Sequence, residues 1–283
     1  MSAAEASAAP RIVTKAPPWH TSVAIDLLCS SLAAGLFAVA AIIYLLGDDT
    51  DRAVSRVGFA LAFPVMIVDL VCLVIDLGDP LRFMNMTRVF KPGSPMSVGV
   101  WSIVVFSFIS FVCFAISILP LGGRALSFLA LGGLPFALVV GNYKGVLFST
   151  TAQPGWSSMR WLGALLSISA GAMGVAVLLA IAALADADHT AAFLREALVW
   201  ILVLYAIVFV ALEREGDRWT RGARRAFPAG MWLTLLVGII VPLAIALLAP
   251  GPDTDCTAAL CVIGGSVAFR HVLIKIPHRL GAN

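Results

Sequence analysis

Eight apolar stretches, each near the length a bilayer demands, dominate this sequence and leave few architectures open. They run 22–46, 57–77, 97–119, 125–148, 161–184, 194–212, 229–248 and 257–276. A helix needs about 20 apolar residues to cross the hydrocarbon core. The alternation of an outer-membrane barrel strand is missing, so helices are expected. Of 283 residues, 60% are hydrophobic and only 12% charged, too little polar surface to cover a soluble domain. The expected fold class is all-α transmembrane: an eight-helix polytopic membrane protein.

The first stretch follows a tail holding Pro10, Pro17 and Pro18. It is longer than a signal-peptide core and no small-residue cleavage site follows it, so it reads as a retained helix. With eight spans both termini share one face. That face takes all the Lys and Arg residues except Arg52, Arg56, Arg124 and Arg195. The excess places the termini in the cytoplasm, although a basic loop also suits an acidic partner. The two long connections, 78–96 and 213–228, lie on this face.

Cys29, Cys72 and Cys113 lie inside spans as small buried hydrophobes. Cys256 and Cys261 sit near the start of the last span, on the other face, where a disulfide is permitted but not demanded. Pro64 and Pro135 interrupt the second and fourth spans.

Charge at membrane depth is the strongest chemical signal. An ionisable side chain in a span costs roughly 2.5–3.5 kcal/mol on insertion scales, so its presence calls for a reason. Asp26 lies about one turn into the first span. Asp69 and Asp76, seven apart, fall on one face of the second. Two readings stay open: a proton-handling group, or an interhelical hydrogen bond, with Asp76 clamping the loop through Arg82. In the fourth span, Asn142-Tyr143-Lys144 offers a hydroxyl donor and an amine. A nearby carboxylate would complete what a quinone head group needs. The plainer reading is an interfacial tyrosine with a snorkelling lysine.

Some classes are excluded. A bis-histidine haem needs two inward histidines, and of His20, His189, His271 and His278 only His271 lies inside a span. Five scattered cysteines do not form a four-thiolate iron–sulfur site. Phosphate-loop and dinucleotide fingerprints are absent, and nothing in the chain calls for a nucleic-acid partner. If the chain handles electrons, the redox metal is expected in a partner.

The run Asp76-Leu-Gly-Asp-Pro-Leu-Arg82-Phe, then Lys91-Pro-Gly-Ser-Pro95-Met-Ser-Val-Gly99-Val-Trp101, resembles a signature of the NrfD/polysulfide-reductase membrane-subunit (PsrC-like) family. Tyr143-Lys-Gly-Val-Leu-Phe-Ser149, with Pro154 and Trp156, is similar to that family's fourth-helix motif. The resemblance implies a bacterial inner-membrane subunit built as two four-helix bundles, 22–148 and 149–276, with tails 1–21 and 277–283. It implies a quinone (menaquinone or ubiquinone) bound in the first bundle near one membrane face. It further implies a docked ferredoxin-like iron–sulfur subunit, which commonly relays to a molybdopterin catalytic subunit. Carried over, the quinone site comprises His20, Asp26, Asn142, Tyr143 and Lys144, with Asp26 and Tyr143 catalytic and Asp69, Asp76 and Arg82 behind them. Asp26 stands where some relatives have histidine. Many relatives meet their partners outside the cytoplasm, whereas the charge asymmetry here points the site inward. The competing class is a transporter or proton-translocating subunit using Asp69 and Asp76; a third reading is a structural anchor without quinone.

Overall fold

The computed structural model describes residues 21–76, 85–119, 123–151, 153, 156–157, 159–215 and 228–280. Eight long helices follow in order: α1 (Thr21–Leu46), α2 (Asp49–Asp76), α3 (Pro95–Ile118), α4 (Gly123–Ser149), α5 (Leu162–Leu184), α6 (Asp188–Glu215), α7 and α8 (Pro252–Leu280). The composite α7 joins Pro228–Leu235, a π-helical turn Leu236–Ile240 and Val241–Leu248. All eight are long and apolar enough to cross a membrane, and there is no strand among the described residues. The chain is an all-α polytopic membrane protein.

Two helices reach well beyond the hydropathy spans. Most of 47–56 and 185–193, expected as loops, is helix at the start of α2 and α6. The cause at α2 is local capping. The Asp48 carboxylate accepts from the amides of Thr50 (2.9 Å) and Asp51 (3.0 Å), while Asp51 Oδ2 accepts from the Asp48 amide (3.0 Å). This reciprocal arrangement satisfies amides that a helix start leaves open, and those amides hold the Asp48 carboxyl below the usual carboxylate range. Hydropathy reports the part of a helix that meets lipid, not the part that hydrogen bonds extend past it.

The π-helical turn in α7 also has a local reason. Pro242 lacks an amide hydrogen, and its ring crowds the carbonyl four residues back. The chain widens just before it, where the Val241 amide bonds to the Leu236 carbonyl.

Helix α1 is central, packing on α2, α4, α5 and α8. Its approach to α5 is backbone on backbone: a Cβ on Gly35 would land on the Ala170 carbonyl oxygen, and one on Gly174 would meet Gly35 itself. Gly238 of α7 and Gly265 of α8 form a second such crossing. Without a hydrophobic drive between helices in lipid, close packing of this kind supplies much of the association. Phe37 anchors the α1–α4 interior, its ring edge-to-face with Phe59 and Phe106, each at 5.2 Å between centroids. At the end of the protein remote from Thr21, Thr190 donates to buried Asp51 (2.6 Å), and Arg195 donates twice to buried Asp255. All five cysteines are free, including Cys256 and Cys261.

Candidate functional site

The end of the protein that holds Thr21 gathers the start of α1, the end of α2, the start of α3 and the end of α4. The Lys91–Pro95 run sets the position of α3 there. Ser94 turns the chain with its amide on the Lys91 carbonyl (3.0 Å), takes an extended conformation as the cap, and hands over to Pro95 at the first helical position. Ser97 Oγ accepts from the Lys91 amide (2.9 Å), tying the turn to the helix. Phe90 meets Trp101 edge-on. Much of this motif is therefore helix-start architecture.

Inside that end lies a buried ionic triad. Lys144 Nζ sits 2.8 Å from Asp26 Oδ2 and 2.8 Å from Asp69 Oδ1. It also donates to Ser30 Oγ (2.9 Å) and the Asp26 carbonyl (3.2 Å). The residues are 6%, 5% and 0% exposed for Lys144, Asp26 and Asp69. Lysine here does not snorkel: α4 delivers it inward because its neighbour faces of α1 and α2 carry the two carboxyls. Three helices are joined by one ammonium. One oxygen of each carboxyl, Asp26 Oδ1 and Asp69 Oδ2, is buried with no hydrogen-bond donor among the described residues. Such orphan acceptors are uncommon in native proteins.

A cavity of about 190 Å³ opens against the triad. Asp26, Lys144, Tyr143 and Asp76 line it together, with an apolar remainder that includes Val23, Leu73, Met96, Val100, Leu147 and Phe148. Tyr143 is nearly buried, its ring fitted over Gly99 of α3, where a Cβ would collide with the ring. Asp76 stands at the exposed edge and accepts from Ser22 Oγ (2.6 Å); the expected clamp by Arg82 lies outside the described residues, as does His20.

Asn142 is placed elsewhere. Its Oδ1 points at Gly163 of α5, where a Cβ would strike it, and the residue lines a second, outer groove of about 360 Å³ between α3 and α4. It does not line the cavity that holds Asp26.

The arrangement offers an apolar slot lined by a tyrosine and a carboxyl, with a buried cation fixing that carboxyl's position. The family model for polysulphide reductase, NrfD, matches residues 12–275 of this chain. The chain belongs to that family. NrfD-family proteins are membrane subunits of redox complexes and work with other redox subunits, and eight spans fit such a subunit. No curated protein matches the chain.

Two polar features of this NrfD-family chain escaped the sequence reading. Ser30 was legible one helical turn after Asp26 on the same face, yet its role depends on Lys144 arriving from α4. Arg270, counted above with the basic face, is fully buried. It donates to the Leu27 carbonyl (3.1 Å), Ser169 Oγ (3.2 Å) and the Ser266 carbonyl (3.1 Å), and no carboxylate pairs with it among the described residues. Its place inside the last apolar stretch was the available signal. Neither Lys144 nor Arg270 belongs in the orientation count, and removing both leaves the bias in the same direction.

Proposed function

We propose that this chain is the quinone-reactive membrane subunit of a multisubunit oxidoreductase, exchanging electrons between the quinone pool and a docked iron–sulfur subunit. The observation that carries the reading is the buried Asp26 carboxyl, held by Lys144 and lining an apolar-walled cavity together with Tyr143. A quinone, when bound, supplies two-electron, two-proton chemistry; the chain supplies position and proton handling. The residues present fit that need. The Tyr143 hydroxyl can donate to a carbonyl oxygen, and the Asp26 carboxylate can accept the proton of a hydroxyl.

Lys144 keeps Asp26 aimed and offsets its charge. With both carboxyls ionised the triad carries one net negative charge; one added proton makes it neutral. The triad therefore stores a single proton without leaving net charge at membrane depth. Asp69 serves as the second carboxyl of that store. Asp76, bonded to Ser22 at the cavity's exposed edge, leads the proton toward water. The transporter reading needs Asp69 and Asp76 free at one midplane site, whereas Asp69 is engaged by Lys144.

The proposed setting is the bacterial cytoplasmic membrane with the termini and the cavity on the cytoplasmic side, supported by the basic asymmetry. The partner is a ferredoxin-like iron–sulfur subunit, with a molybdopterin subunit beyond it. The connections 78–96 and 213–228 are its proposed docking surface, of which 78–84 and 216–227 lie outside the described residues.

Binding tests the reading. Titrating the purified chain with a quinone and following tryptophan fluorescence should give saturable quenching. Tyr143→Phe, which keeps the ring, should weaken it about three- to tenfold, the value of one hydrogen bond. Unchanged affinity in both Tyr143→Phe and Asp26→Asn would remove the cavity from the account.

A further inference from the structure

Tyr143 stands where α4 meets α3, and it lines both the cavity and the outer groove. Val100 of α3 is in the wall of the cavity, and Val98 of α3 in the wall of the groove. Gly99 falls between those valines, and successive helix residues turn by about 100°, so it is the α3 residue that faces the ring. A Cβ there would overlap ring carbons Cγ, Cδ2 and Cε2. The turn of α3 that presents Gly99 is set just before it, by the Ser94 cap, Pro95 and the bond from the Lys91 amide to Ser97 Oγ.

A glycine under an aromatic ring also serves plain helix packing, as at Gly133 of α4, where a Cβ would overlap the Phe37 ring. The surroundings of the two rings differ. Phe37 is fully buried between Phe59 and Phe106, so relief at Gly133 must push helices apart. Tyr143 has hollows of about 190 and 360 Å³ beside it, so relief at Gly99 is a swing of the ring toward one of them. Such a swing is largest at the hydroxyl, the side-chain atom furthest from the backbone.

We infer that Gly99 is a positioning residue of the site: the missing side chain at 99 sets where the Tyr143 hydroxyl stands relative to Asp26. The inference rests on the quinone reading above and adds to it the residue that aims the hydroxyl. The two polar groups of the cavity are then aimed by different contacts. Lys144 holds the Asp26 carboxyl by charge, and Gly99 seats the neighbouring Tyr143 by shape. Gly99 stood in the sequence motif without a role; the seat supplies one.

The test is a double-mutant cycle in quinone affinity, read by tryptophan fluorescence on the purified chain. Tyr143→Phe keeps the ring and removes only the hydroxyl. Gly99→Ala alone should weaken binding about three- to tenfold, the value of the hydrogen bond a displaced hydroxyl no longer makes. Added to Tyr143→Phe it should weaken binding no further, because no hydroxyl is left to misplace. Gly133→Ala should lower the melting temperature and leave affinity unchanged. An equal loss from Gly99→Ala with and without the hydroxyl is a packing effect and overturns the inference, as does no loss at all or a matching loss in Gly133→Ala. A Gly99→Ala chain that does not fold would show that the ring cannot swing aside, which also overturns it. Stability checks the seat independently: Gly99→Ala combined with Tyr143→Ala should melt no lower than Tyr143→Ala alone, and a lower value would put the clash elsewhere. If Tyr143→Phe is silent while Asp26→Asn weakens binding, the inference fails and the quinone reading stands; that reading falls only when both are silent.

Discussion

Lys144 and Asp69 stand 75 residues apart in sequence and meet at 2.8 Å, both buried. The bond ties α4 to α2, and the same ammonium holds Asp26 on α1. A cation between two carboxyls is costly to desolvate, and its removal is costlier still, because two buried acids then face each other.

Lys144→Met should accordingly lower stability by roughly 3–5 kcal/mol, the usual cost of breaking a buried pair. Thermal unfolding of the purified chain in detergent measures it. Adding Asp69→Asn and Asp26→Asn to Lys144→Met should recover part of the loss, since no uncompensated charge is left. A triple variant no more stable than Lys144→Met would show that packing, not charge, sets the cost.

The α1–α5 crossing predicts a sharp contrast between two glycines. Gly35→Ala must push α5 back from α1 and should cost about 1–3 kcal/mol, as overpacking does. Gly132→Ala on α4 meets nothing within 4 Å and should be neutral or slightly stabilising, because alanine is the better helix former. Equal melting temperatures for the two variants would contradict the close crossing.

Arg195 is set far from the cavity, bonding through Nε (3.2 Å) and Nη2 (2.5 Å) to buried Asp255. Arg195→Gln should destabilise the protein by roughly 1.5–3 kcal/mol, the range for hydrogen bonds to a charged group. Quinol turnover per assembled complex should stay at the wild-type rate. A fall in turnover without loss of assembly would link that remote end to the chemistry.

Charge reversal at Arg221, Arg224 and Arg225 probes docking. Complementary charge mainly speeds and registers association. The triple glutamate variant should release the proposed iron–sulfur partner from purified membranes, with the eight-helix chain itself still present. A full complement of partner would move the docking surface elsewhere.

The fold was largely legible because a bilayer imposes one strong rule: about 20 apolar residues per helix. The errors fall where that rule stops, at the polar starts of α2 and α6; at α2, capping by Asp48 and Asp51 carries the helix past the lipid. The site was legible only in part. Asp26, Asp69 and Tyr143 announce themselves as polar groups at membrane depth, and the family motif points to the same end of the bundle. What spacing within one helix cannot give is which way a long side chain turns between helices. For that reason the snorkelling reading of Lys144 stayed open beside the site reading, Asn142 was grouped with Asp26 rather than with Gly163, and Arg270 was counted with the basic face.

The central claim is that Asp26 accepts the quinol proton. Asp26→Asn keeps the size and most hydrogen bonding and removes the titratable group. The measurement is quinol turnover in membranes carrying the assembled complex, alongside electron delivery from substrate into the partner's clusters. Turnover should fall about 10²–10⁴-fold, the span for a lost general base, with assembly and cluster reduction intact. Wild-type turnover in Asp26→Asn would contradict it and pass the proton to Asp69.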